Sequence, residues 1–236
     1  MDYFISTKHR TDKEELMDDF SIGGELLRDT LDKLEQINRW LGGNKVTVNG
    51  LKKMLRNHPK EQALTIVDIG CGHGDILRDV ARFGRKEGYV MKLIGLDANP
   101  TAIEYANTLS GNFPELSFET EDIFSNAFKN RKFDVVLATL FLHHFKEEPL
   151  TIFLKNTLKQ ARIGIVINDL HRHKLAYYLF MALSLFIKNT MIVEDGLTSV
   201  LRGFKRKEIV KIARTINTKP DISWKWAFRF LWMIRV

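Results

Sequence analysis

The chain has 236 residues, 44% hydrophobic and 28% charged, which suits one packed domain with an appendage and excludes a disordered or fibrous protein. The lone cysteine, Cys71, excludes an intramolecular disulfide, and with no basic-then-apolar leader at the N-terminus the expected location is cytoplasmic. The formal net charge of +7 would suit nucleic acid or an anionic membrane, but the basic residues are dispersed, so a nucleic-acid partner is not expected and at most a weak association with a membrane surface is.

Leu27, Leu31, Leu34 and Leu41 recur at helical spacing and predict an amphipathic helix over about 13–41, stopped by Gly42-Gly43. A shorter helix over 51–56 ends before His58-Pro59. Residues 1–60 therefore read as an N-terminal helical cap on a domain of residues 61–236. From Leu64 the texture changes: strands are expected at 64–69, 91–96, 116–119, 133–138 and 164–167, with helices at 76–85, 101–109 and 150–158 between them. This alternation predicts an α/β fold, a doubly wound and mostly parallel sheet. A helical insertion follows at about 170–204. Its apolar run from Leu175 to Ile187 is too short for the roughly 20 residues that span a bilayer and reads as a buried or pocket-lining helix. Glu194 to Phe204 reads as a polar segment, either substrate-contacting or simply a capped loop. A charged helix over 205–216 and two short segments, 222–227 and 228–234, that can pair as an antiparallel hairpin at the sheet edge complete the chain.

Val67-Asp68-Ile69-Gly70-Cys71-Gly72-His73-Gly74-Asp75 joins the first strand to the first helix of the alternating region, where the backbone must turn tightly and admit a ligand. The third glycine arrives one position too early for a dinucleotide fingerprint, and Asp68 and Asp75 would repel a pyrophosphate at the helix N-terminus. A cationic ligand suits the turn better. Asp97, after the second strand, can accept from both hydroxyls of a ribose, and Asp122, after the third, from an adenine amino group against which Ile123 packs. Each acid alone has a plain reading as a helix cap or loop carboxylate; their succession after three strands is the signal. S-adenosylmethionine carries the ammonium, sulfonium, ribose and adenine that this series asks for. The cofactor set is Asp68, Gly70, Cys71, Gly72 and Gly74 in the turn, then Asp97 with Ala98, Asp122 with Ile123, and Thr139 at the end of the fourth strand.

Through the glycine turn, Leu96-Asp97-Ala98-Asn99 and Phe133 to Phe145, residues 64–168 resemble the class I methyltransferases, in particular small-molecule enzymes similar to those of ubiquinone and menaquinone synthesis. The resemblance implies a Rossmann-like sheet of seven strands, the last antiparallel. Met17-Asp18-Asp19 and Asn168-Asp169-Leu170-His171-Arg172-His173 look like a subgroup found beside polyketide and pigment synthesis genes.

Methyl transfer to a phenol or quinol would need a base, and an imidazole is suited to that near neutral pH. His171, which Asp169 would orient, and His144 are the candidate catalytic residues; His143, Tyr178 and Arg202 are candidate acceptor contacts. The N-terminal helices and the apolar run, through residues such as Tyr177, Phe180 and Phe186, are expected to roof the pocket. Each histidine also has a structural reading. No metal site is expected, because residues 91–168 hold no compact zinc-type set. A small-molecule acceptor is the expected partner; an RNA or protein methyltransferase, and a binding module that keeps the cofactor without turnover, stay open.

Overall fold

A computed structural model describes residues 5–236; residues 1–4 of the expected cap lie outside the described residues. A 3-10 turn at Leu16–Asp18 precedes α1 (Gly24–Trp40) and α2 (Gly43–Met54). The alternating part follows as β1 (Leu64–Ile69), α3 (Asp75–Glu87), β2 (Met91–Asp97), α4 (Pro100–Leu109), β3 (Leu116–Thr120), α5 (Asn126–Lys129), β4 (Phe133–Thr139), α6 (Glu147–Gln160) and β5 (Ala161–Leu170). Then come α7 (Lys174–Ser184), α8 (Thr190–Arg202), α9 (Arg206–Thr215), β6 (Asp221–Lys225) and β7 (Arg229–Arg235).

The strands form one sheet in the order β3-β2-β1-β4-β5-β7-β6. β1 to β5 pair in parallel, and β7 runs antiparallel to both β5 and β6. The chain steps outward from β1 to β3 and restarts at β4 on the other side of β1, so a crevice opens beyond the carboxyl ends of β1 and β4. The sheet is buried on both faces: Val67, Ile69, Ile165 and Trp232 enter one core layer, Leu64, Ile66, Val166 and Leu231 the other. That burial explains why the strands read as unbroken apolar runs in the sequence.

Four expectations are corrected. The first helix starts at Gly24, eleven residues after Lys13 (24 − 13), because Leu16 and Met17 donate their backbone N–H groups to the Asp195 carboxylate and Gly24 takes a left-handed φ of 68°. The second runs over Gly43–Met54, its early turns hidden by the β-branched Val46, Thr47 and Val48. It is part of the sheet's own core, with Val46, Leu51, Met54 and Leu55 packed among Ile66, Val166 and Leu231. Asn168, at the end of β5, ties it down by donating to Gly43 O and Thr47 Oγ1. The apolar run ends as a helix at Ser184, short of Ile187, and of its two readings the buried one fails while the pocket-lining one holds: Leu175, Leu179, Met181, Leu185 and Phe186 are exposed, within α7 only Ala176 is fully buried, and Ala176, Leu179, Phe180 and Leu183 line the cavity. Finally, 194–202 is helical, belonging to α8, which Asn189 caps by accepting from Ile192 N.

α4 shows how a loop residue positions the site. The Asn99 side chain accepts from Thr101 N and Ala102 N, with Pro100 at the first helical position, and donates to Ile22 O. Replacing it with alanine removes the cap and the tie to the N-terminal segment. Asn99→Ala is expected to lower stability by about 1 kcal/mol in urea unfolding; an unchanged midpoint would show that neither bond contributes.

Candidate active site

A cavity of about 1480 Å³ lies over the carboxyl ends of β1, β2 and β4, between the sheet and α1, α7 and α8. Pockets for one drug-sized ligand run to about 300–1,000 Å³, so this volume has room for two. Its roof uses Leu27, Leu31, Leu34 and Ile37 of α1, and the N-terminal segment around Glu15–Asp18. From α7 come Ala176, Leu179, Phe180 and Leu183; Tyr177, Tyr178, Met181 and Phe186 are not on the cavity wall, nor is any residue of α2.

One end is acidic. Gly70, Gly72 and Gly74 all have positive φ, 68°, 52° and 80°, so the turn after β1 is a conformation that glycine alone adopts freely. A Cβ at Gly70 would lie 2.2 Å from Phe141 Cδ2, and one at Gly74 2.5 Å from Phe118 Cε1. Gly74 therefore serves packing and the start of α3 and does not line the cavity, whereas Gly70, Cys71 and Gly72 do. Asp97 accepts from Gly72 N (2.9 Å) through one oxygen and from Asn99 N (2.9 Å) through the other, which fixes its carboxylate and leaves each oxygen a free lone pair. Burial pushes its pKa up, and these two backbone bonds oppose the shift. Asp68 is 1% exposed and its Oδ1 has no partner among the described residues. Burial, then Asp75 and Asp97, raise its pKa well above the carboxylate range. The buried Asp68 and Asp75 and the half-buried Asp97 thus gather at this end, and among the described residues no cation is bonded to Asp68.

The rest of the cofactor set is spread along the wall. Ala98, Asp122, Ile123 and Thr139 all line it; Asp122 is exposed and accepts from Phe124 N (2.8 Å), and Thr139 Oγ1 lies 2.8 Å from Thr47 Oγ1. Cys71 is buried, and burial together with Asp97, Asp68 and Asp75 raises its thiol pKa, so it is a packed residue rather than a nucleophile.

The other polar end gathers residues far apart in sequence. His143 Nδ1 lies 2.7 Å from Asp169 Oδ1, whose carboxylate also accepts from His143 N (3.1 Å). Despite burial, the charge and hydrogen bond of His143 hold Asp169 below the usual carboxylate range. Asp169 was expected to orient His171; it orients His143 instead. His171 lines the cavity among His173, Phe228 and Phe230, accepting weakly from Trp224 Nε1 at 3.3 Å. Burial, then His173, Lys205 and Arg172, lower its pKa to about 4.

His144 Nδ1 is 2.6 Å from Asp18 Oδ1, and Arg202 donates to Asp18 Oδ2 and to His144 O. Against the cost of burial, the bond and charge of His144, then Arg202, hold Asp18 far below the carboxylate range. Glu15 is buried and pushed up to about 7, chiefly by burial. Glu15 and Asp18 were not singled out from the sequence, although Met17-Asp18-Asp19 had drawn notice as a flank of the resembling region.

Residues 60–195 match the family described as a methyltransferase domain. The chain is 26% identical over 161 residues, 61% of its length, to an uncharacterized methyltransferase of Emericella nidulans; the match spans 53% of that relative, about half its length. The plantazolicin methyltransferase BpumL in complex with SAH superposes with a TM-score of 0.65 at 17% identity, over 87% of this chain and 88% of that one. The magnesium protoporphyrin IX methyltransferase ChlM from Synechocystis PCC 6803 with bound SAM gives 0.58 at 13%, over 93% and 88%. A SAM dependent methyltransferase from Aquifex aeolicus gives 0.61 at 13%, over 88% and 97%. At these identities the likeness is one of fold.

Proposed function

The chain belongs to the methyltransferase-domain family, and from that membership we propose that it is a class I S-adenosylmethionine-dependent enzyme that methylates a small, largely apolar acceptor, aromatic in character, at oxygen or carbon. The observation that carries this reading is the cavity's asymmetry, an acid end built on the sheet and an apolar chamber beside it. Bound S-adenosylmethionine supplies an activated methyl group on a cationic sulfur. Asp97, held by two backbone amides, is set to accept from the ribose hydroxyls. The buried, unpartnered Asp68 suits the ammonium of the methionine moiety, directly or through one water. Asp122 and Ile123 suit the adenine edge and face.

Ile37, Phe141, Phe180 and Phe228 give the cavity apolar and aromatic lining beside its polar groups, as a small-molecule site requires. Two structural neighbours are named as methyltransferases of plantazolicin and of magnesium protoporphyrin IX, and this supports a small-molecule acceptor here. Among the described residues no helix is long and apolar enough to cross a membrane.

Handling of the acceptor's proton falls to the Glu15–His143–His144 cluster rather than to His171. A base with a pKa near 4 is poorly matched to a phenol at neutral pH. His171→Gln is therefore expected to change turnover by less than about threefold and to leave the pH–rate profile unshifted between about pH 6 and 8. Loss of an ionisation from that profile would return the base to His171. The overall reading is tested by mass spectrometry of the purified protein for carried-over S-adenosylmethionine or its demethylated product, then by transfer of labelled methyl to substituted phenols and quinols. A protein with no calorimetric affinity for the cofactor and no transfer would overturn it.

A further inference from the structure

Two orphaned atoms face each other at the acceptor end. Glu15 Oε1 and His143 Nε2 are 3.6 Å apart, both fully enclosed and both without a hydrogen-bond partner. Their separation is too long for a hydrogen bond between them. Both side chains are pinned from the far side: Ser199 Oγ donates to Glu15 Oε2 (2.7 Å), and Asp169 holds His143 Nδ1. The ionised Asp169 places the ring proton on Nδ1, which turns the Nε2 lone pair toward Glu15. His144 Nδ1 lies 4.0 Å from Glu15 Oε1, and Glu15, His143 and His144 each offer a ligand atom within 4.8 Å of those of the other two.

The geometry points to a divalent transition-metal site of the zinc class, with Glu15 Oε1, His143 Nε2 and His144 Nδ1 as protein ligands and a fourth position open to the cavity. Two imidazoles and a carboxylate with one open position are the donor set of catalytic zinc sites. Bond lengths of about 2.0–2.1 Å ask for donor separations near 3.4 Å, so the two sides of 3.6 and 4.0 Å must close by a few tenths of an ångström and the third by up to about 1.4 Å. Asp169 behind His143 is the carboxylate–histidine support that metal-bound imidazoles usually have. The closest opposing charge is the Arg202 Nη1, 3.6 Å from Glu15 Oε1, and it is already bonded to Asp18. Binding breaks one contact, His144 Nδ1 to Asp18, moving that ring's proton to Nε2 and leaving Asp18 to Arg202. The sequence concealed the site because its third ligand lies 128 residues before His143 (143 − 15).

This site stands on its own side chains and does not depend on the identity of the acceptor or on methyl transfer. An ion there would polarise an acceptor oxygen, in place of proton uptake by a free imidazole. The test is binding of zinc chloride and cobalt chloride to chelator-stripped full-length protein. One equivalent of zinc is expected by calorimetry and elemental analysis, with a micromolar or tighter dissociation constant. Cobalt should give the intense visible absorption of a four- or five-coordinate ion. Glu15→Gln, which keeps a side-chain oxygen toward Ser199, and His143→Ala should each weaken zinc at least a hundredfold; Asp169→Asn should weaken it about 10- to 100-fold, and His58→Ala not at all. If His143→Ala does not fold, Glu15→Gln decides. A wild-type protein that takes up no ion below about 100 μM, or a folded Glu15→Gln that binds zinc as the wild type does, overturns the proposal, and a water bridging the two orphaned atoms then takes the ion's place.

Discussion

Asp97→Ala should weaken S-adenosylmethionine by about 2 to 4 kcal/mol, roughly 30- to 1,000-fold, while the protein stays folded. The carboxylate sits at the end of β2 with one oxygen on Gly72 N and the other on Asn99 N. Substitution therefore removes a charged acceptor that two ribose hydroxyls would share and also the bond that holds the glycine turn beside it. Asp97→Asn separates the parts: it keeps one acceptor oxygen and loses the charge, and should fall between wild type and alanine. Calorimetry on a folded Asp97→Ala protein with an unchanged dissociation constant would remove the cofactor from this end of the cavity.

Gly70→Ala is expected to destabilise the fold by about 2 to 5 kcal/mol. A left-handed φ costs a residue with a Cβ about 1–2 kcal/mol, and the new methyl would sit 2.2 Å from the ring of Phe141, an overpacking that typically adds about 1–3 kcal/mol. That ring cannot easily yield, because it is held edge-on by Phe145 and Phe153 at 5.1 and 6.2 Å. Gly72 is the internal control. Its φ is also positive, but an added Cβ would meet only Leu31 Cδ2, at 3.4 Å. Gly72→Ala should cost only the backbone share, about 1–2 kcal/mol. Equal denaturant midpoints for the two variants would show that the contact with Phe141 does not matter.

What the sequence made legible was local. Asp68 and Asp97 sit at the carboxyl ends of β1 and β2, whose Val, Ile and Leu runs are forced by burial, and Asp122 follows the more exposed β3, so strand ends and the acids beside them could be read together. The glycine turn is local too, since its positive φ values need no distant partner. The acceptor end was not legible, because its geometry is made by contacts that leave no periodic trace. Asp169 lies two residues from His171 yet bonds His143, because the turn after β4 brings both the backbone N–H and the ring of His143, 26 residues away in sequence, against its carboxylate. Glu15 and Asp18 sit in a segment whose leucine and acidic content resembles a helix start; Asp195, on α8, draws that segment into a 3-10 turn. α8 itself was obscured by Gly196, Thr198 and Ser199, poor helix formers that are kept here by packing against the N-terminal segment.

The two ends of the cavity differ in what must move when a ligand leaves. The acid end is made of strand termini bonded into the sheet, and opening it would disturb β1 and β2. The other end is closed by a single crossing of extended chain before α1, fastened by Arg10 to the carbonyls of Arg202 and His143, by Leu16 and Met17 to Asp195, and by Asp18 to His144 and Arg202. These fastenings are polar and lie at one edge, so that crossing can lift while the sheet stays intact. The expected consequence is that the acceptor side exchanges faster than the nucleoside side, which stopped-flow release of the two ligands would measure.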